Sequence, residues 1–210
     1  CIKNGLAFAE FLLELASHGF VIVSDGAPNG SGGGALAADG TALTQAVDWA
    51  LAQNDQSCSK YHRKLDPTKI AAMGQSCGGL MTMGAAKDRR LRTIVLWNSG
   101  LFSRDQTIYN SLHAPMAIID GGASDIAYVN GEADFNAIST VPIVFANRDV
   151  GHIGTYFQDN GGEFARVGLG WLKWQLLGDP GASAAGLFVG ASCGLCNASS
   201  GWTLRKKGID

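Results

Sequence analysis

The apolar positions of this chain recur either at helical spacing or in short unbroken runs, and the two patterns take turns. Ala7–Ser17 (AFAEFLLELAS) has helical apolar spacing and stops at His18-Gly19, a common helix end. Thr41–Gln53 is amphipathic with the same period, and Leu80–Ala86 and Phe164–Leu177 also read as helices. The last carries Phe164, Val167, Trp171 and Trp174 on one face and ends at Gly178-Asp179-Pro180-Gly181. Trp171 and Trp174 are expected to pack this helix onto the core. Between the helices lie Phe20–Ser24, Lys69–Met73, Thr93–Trp97, Pro115–Ile119 and Val141–Ala146, short apolar runs bounded by turn residues. Five unalternating strands separated by helices predict an α/β domain, its mostly parallel sheet covered on both faces. In such a sheet, chemistry gathers at the carboxyl ends of the strands. Asp25–Gly40, rich in Gly, Ala, Asn and Ser, reads as a long loop, either a rim to the site or a solvated connection.

Composition narrows this picture. At 210 residues, 46% apolar and only 16% charged, the whole chain 1–210 fits a single domain with a sizeable core, the small-residue tail from Ala182 packed on it. A net charge of -2 gives no reason to invoke nucleic acid or an anionic membrane as partner. No run of about 18 apolar residues is present, so no membrane span is expected. Five cysteines and two sequons, Asn29-Gly30-Ser31 and Asn197-Ala198-Ser199, point to a secreted, disulfide-bonded glycoprotein. Cys193-Gly194-Leu195-Cys196 is a C-x-x-C in the tail. It lacks the helix start of a redox motif and the further ligands of a zinc site, so a local structural disulfide is expected.

Chemistry enters with Gly74-Gln75-Ser76-Cys77-Gly78-Gly79, a G-x-S-x-G between a predicted strand and a predicted helix. A serine on such a turn is held in a strained conformation with its hydroxyl pushed clear of the sheet. Glycines two before and two after it are expected because a Cβ there would meet the crossing backbone. The hydroxyl is a poor nucleophile and needs an imidazole to take its proton and a carboxylate to orient that imidazole. His18 and His62 precede the elbow, and His113 lies ahead of the Pro115–Ile119 strand. His152 follows the last strand, on a glycine-flanked loop, and is the expected base. Asp125, a few residues past the Pro115–Ile119 strand, is the expected acid, with Asp120 and then Asp134 as rivals. A cysteine nucleophile at Cys77 would want glycine at Gln75, so the register favours Ser76.

From Cys1 to about Gly190 the chain resembles the α/β-hydrolase superfamily, and within it secreted microbial esterases of the dienelactone hydrolase, polyhydroxybutyrate depolymerase and cutinase-like groups. The resemblance is carried by Ala16–Val23, Gly74–Gly79, Ser124-Asp125, Gly151–Tyr156 and Trp171–Leu176. It implies a serine esterase with Ser76 as nucleophile, Asp125 as acid and His152 as base. The backbone amide of Cys77 becomes an oxyanion donor, and no metal or organic cofactor is required. It implies that Trp97 and Tyr156, with Phe157 beside it, line the substrate pocket, and that the partner is a small-molecule or polymeric ester. It further implies a strand before the first helix, beside the nucleophile strand, so an upstream piece is expected to precede Cys1. A Cys1–Cys77 disulfide would then pin the oxyanion region and leave Cys58 unpaired or bonded to that piece. A peptidase or amidase on the same fold, and a non-catalytic binding protein, remain open alternatives.

Overall fold

The computed structural model describes residues 5–26 and 39–209. Its sheet has five strands in the order β1 (Ile70–Gln75), β2 (Leu91–Trp97), β3 (Met116–Asp120), β4 (Ile143–Asn147) and β5 (Thr203–Lys207). The first four are parallel and β5 is antiparallel to β4. Consecutive residues of β2 feed opposite cores. Val95 and Trp97 face a cluster with Phe11 and Leu15 of α1 (Ala9–Ser17) and Phe164 and Trp171 of α6 (Gly162–Leu177). Ile94 and Leu96 face Met83 of α3 (Cys77–Ala85), Tyr109 of α4 (Gln106–Ser111) and Phe135 of α5 (Tyr128–Ala137). Burial on both faces is why these strands are continuous apolar runs. α2 (Thr41–Asp55) packs beside α3 and has no fully buried residue.

Five strands were expected and the described residues form five, but one differs. Phe20–Ser24 forms no strand, and Val21 and Val23 are 46% and 40% exposed. A strand exists only through its neighbours, and among the described residues neither this segment nor the outer edge of β1 has one. Both instead line a cavity of about 680 Å³ that reaches Ser76. The fifth strand comes from the tail. Thr203–Lys207 (TLRKK) lacks an apolar pattern, yet its charged side chains reach over the Phe135 ring of α5. The Arg205 guanidinium lies 4.7 Å from the Phe135 ring centroid and pairs with Glu132 at 2.5 Å. Lys207 Nζ donates to the carbonyls of Phe135 and Ile138 at the end of α5. Charged residues on this edge also discourage pairing with another chain.

Cys193 and Cys196 form the expected local disulfide, and Cys58 is an exposed free thiol. The Cys1–Cys77 pairing, the Asn29 sequon, most of the Asp25–Gly40 loop and the elements expected ahead of α1 fall outside the described residues. Among the described residues no helix is long and apolar enough to cross a membrane.

Candidate active site

β1 runs straight into α3, and Ser76 sits on the turn with φ 54° and ψ -119°. A non-glycine residue holds that conformation only where its surroundings enforce it. Here its N–H donates to Trp97 O (3.0 Å), and its carbonyl accepts from Ser99 Oγ (2.7 Å) and Gly79 N (2.9 Å). The turn is close-packed on one side only. A Cβ on Gly74 would stand 2.0 Å from the Gly78 carbonyl oxygen, and one on Gly79 would stand 2.2 Å from Ser99 Oγ. Gly78 departs from the expectation, since a Cβ there meets nothing within 4 Å among the described residues. The motif's first glycine makes room for the backbone of its second, whose own Cβ position is open.

The other two residues arrive on loops laced to each other. Val150 and Gly151 both donate their N–H groups to Gly121 O, at 2.9 and 2.8 Å. A Cβ on Gly121 would lie 1.9 Å from Gly151 O, so the loop after β3 and the loop after β4 touch backbone to backbone. This contact places Asp125 against His152. The imidazole Nδ1 is 2.7 Å from Asp125 Oδ1 and Nε2 is 3.0 Å from Ser76 Oγ. An ionised carboxylate only accepts, so Nδ1 carries the ring proton and Nε2 offers its lone pair to the serine hydroxyl. Gln75 Nε2 holds the His152 carbonyl at 3.1 Å.

Asp125 is buried, and burial by itself would push its carboxyl up. Four hydrogen bonds outweigh that: the amides of Ala127 and Gly121, the Asn98 side chain and His152 together hold it below the usual carboxylate range. Asp120 sits elsewhere. It is fully buried, accepts from Ser99 N at 3.1 Å, and burial, then the nearby charges of Asp125 and Asp134, raise it well above an ordinary carboxyl. Asp134 accepts from Leu101 N (2.8 Å) and Tyr109 Oη (2.7 Å), away from His152. His18 pairs with Glu14 on α1, and His113 reaches Leu91 O.

The Cys77 amide heads α3, where the positive end of the helix dipole favours an anion. Trp97 and Tyr156 are both 2% exposed and belong to one aromatic cluster with Phe11 and Phe164, bordering the cavity from its floor. Phe157 is half-exposed against Phe8. Among the described residues no cluster of His, Cys, Asp and Glu could hold a metal ion. Asn98 and Ser99, just past the end of β2, were not singled out from the sequence, although a polar pair ending an apolar run at the carboxyl edge is itself a signal.

The model of the PET hydrolase-like family matches residues 9–181 of the chain. No curated protein matches the chain.

Proposed function

We propose, from the premise that the chain belongs to the PET hydrolase-like family, that it is a secreted serine esterase acting through Ser76, Asp125 and His152. Family membership supports ester hydrolysis. The continuous run of hydrogen bonds from Asp125 through His152 to Ser76 Oγ is the observation that carries the assignment of residues. In this reading His152 Nε2 takes the Ser76 proton as Oγ attacks the ester carbonyl carbon. Negative charge grows on the carbonyl oxygen and is met by the Cys77 amide. Collapse of the tetrahedral intermediate expels the alcohol, which receives its proton from His152, and leaves an acyl group on Ser76. Water, deprotonated by His152, then releases the acid and restores the serine.

Trp97 and Tyr156 close the pocket floor beneath the acyl part. Three large apolar side chains stand exposed on loops leaving the carboxyl ends of the strands, Phe102 (80%), Ile126 (78%) and Ile153 (47%), and Val129 (68%) stands exposed in the first turn of α5. Ile153 lines the cavity that reaches Ser76, and exposed apolar surface on that edge of the sheet favours an apolar or polymeric ester, such as the PET of the family's description. The Cys193–Cys196 disulfide and the exposed Asn197 sequon support secretion.

The test is hydrolysis of p-nitrophenyl acetate and butyrate by the wild type and Ser76→Ala, with the matching anilides alongside. Loss of about 10⁴- to 10⁶-fold in kcat is expected for Ser76→Ala. Unchanged activity overturns the assignment, and anilide cleavage as fast as ester cleavage makes the protein an amidase.

A further inference from the structure

We infer that Asn98 and Tyr156 are positioning residues for this reaction, acting through Asp125. The inference rests on the esterase reading above. Asn98 occupies a place where side chains are rarely tolerated: φ is 45° and the residue is fully buried. Its amide spans the two loops that carry the acid and the base. Nδ2 donates to Asp125 Oδ2 at 2.6 Å and to Gly151 O at 3.2 Å, the residue before His152. Both amide protons are therefore used, one on each loop.

An amide placed this way could turn over, putting its oxygen against the carboxylate. The two acceptors, Asp125 Oδ2 and Gly151 O, disfavour that, and Tyr156 adds to it. Its hydroxyl is buried and donates to Asn98 Oδ1, which fixes the oxygen on the side away from Asp125. The ring is packed edge-on against Phe8, Phe11 and Phe164, with centroids 5.0–5.4 Å apart, so the hydroxyl has little freedom. Phe164 in turn belongs to α6, the helix across that face of the sheet.

The consequence is specific to Asp125. Oδ1 faces His152 and Ala127 N, while Oδ2 faces Asn98 and Gly121 N. With the Asn98 amide gone, one side of the carboxylate loses its side-chain donor. The carboxylate can then roll about its Cα–Cβ bond, and the imidazole follows it away from Ser76. A shift of order 1 Å in a reacting group costs about 100-fold in rate. Substrate affinity is untouched, because neither residue's polar group faces the ester.

Two variants test this with folding protected. Asn98→Gly suits a positive φ and deletes the amide; Tyr156→Phe keeps the ring and deletes only the hydroxyl. Asn98→Gly is expected to lower kcat on p-nitrophenyl butyrate by about 10- to 100-fold with KM within a factor of about two. Tyr156→Phe should lower kcat about 3- to 10-fold, the worth of one hydrogen bond. In the double variant the hydroxyl deletion should add nothing, since its effect runs through Asn98. The downfield proton resonance of the His152 Nδ1–H, present in the wild type, should broaden or vanish in Asn98→Gly. Ser76→Ala is run beside them. If it abolishes activity while Asn98→Gly keeps wild-type kcat and the Nδ1–H resonance, the positioning role is overturned and the esterase reading stands. If Ser76→Ala stays active, the esterase reading itself has failed. Fully additive losses in the double variant also overturn the relay.

Discussion

Replacing each glycine of the G-x-S-x-G turn by alanine separates steric need from sequence habit. In Gly74→Ala the new methyl would stand 2.0 Å from Gly78 O, 2.1 Å from Gly78 C and 2.7 Å from Gly79 N. All three are backbone atoms, so no side chain can swing aside. The turn must open, and the cost falls at the upper end of overpacking, about 3 kcal/mol. For a chain of this size that lowers Tm by about 6–12 °C. Opening the turn also moves Ser76, so ester hydrolysis should fall by about 100-fold even at temperatures where the variant is folded. Gly78→Ala behaves in the opposite way. Its methyl meets nothing within 4 Å among the described residues, and the position lies in the first turn of α3. Alanine is the better helix former there by about 0.5–1 kcal/mol, so Tm should stay level or rise by a few degrees. Thermal melts followed by circular dichroism, with p-nitrophenyl butyrate rates on the same samples, read both effects. Gly74→Ala melting within about 2 °C of wild type at full activity would refute the close packing of the elbow. Equal damage from Gly78→Ala would refute the open space beside it.

Two further outcomes concern stability. Burial lifts the Asp134 carboxyl to about 6 although Tyr109 and Leu101 donate to it. The folded chain then holds this proton more tightly than the unfolded chain, whose carboxyl titrates near 3.8. The group is therefore best tolerated below about pH 4, and its contribution declines by about 3 kcal/mol as pH rises through 6. Asp134→Asn should remove that decline, so urea unfolding at pH 4 to 7 that shows parallel curves for the two proteins contradicts it. The Cys193–Cys196 bond closes a very short loop, and replacing both residues by serine should cost about 2 kcal/mol, read as a lower urea midpoint at unchanged slope.

The parts of the fold visible beforehand are those whose pattern had a single physical cause. β1 to β4 are apolar runs because helices cover both of their faces, and α6 shows its period because one side packs on the sheet. Elsewhere the causes were mixed. α5 (YVNGEADFNA) buries a glycine and an aspartate where a helix ordinarily buries leucines. Gly131 is needed because a Cβ would lie 2.2 Å from Asp120 Oδ2, and Asp134 is needed to hold Leu101 and Tyr109. No hydrophobic period survives those demands. β5 was hidden because its contacts are made by the charged heads of Arg205 and Lys207 over the Phe135 ring, and hydropathy scores both residues as polar. Phe20–Ser24 was misread in the other direction. Its composition is that of a strand, but pairing is a property of two segments and no single segment encodes it.

The site divides along the same line. Ser76, Asp125 and His152, which one run of hydrogen bonds joins, could be singled out together because each lies on the loop that ends a strand and because their order in the chain is restrictive. Asn98 was not, since its contacts reach 27 residues to Asp125 and 58 to Tyr156. Yet the place for a donor of its kind follows once the Asp125 carboxylate and its other partners are known. A buried carboxylate stays ionised only if donors fill its oxygens, and backbone amides could supply just two, from Gly121 and Ala127. With the histidine taking a third place, one donor was still owed. Its address comes from the register of the sheet. Trp97 pairs with Ile119, and Asn98 N donates to Ile119 O at 2.8 Å, so the first residue past β2 is carried alongside the turn that bears Asp125. A donor at that position serves the buried Asp125 carboxylate and is placed by the neighbouring strand.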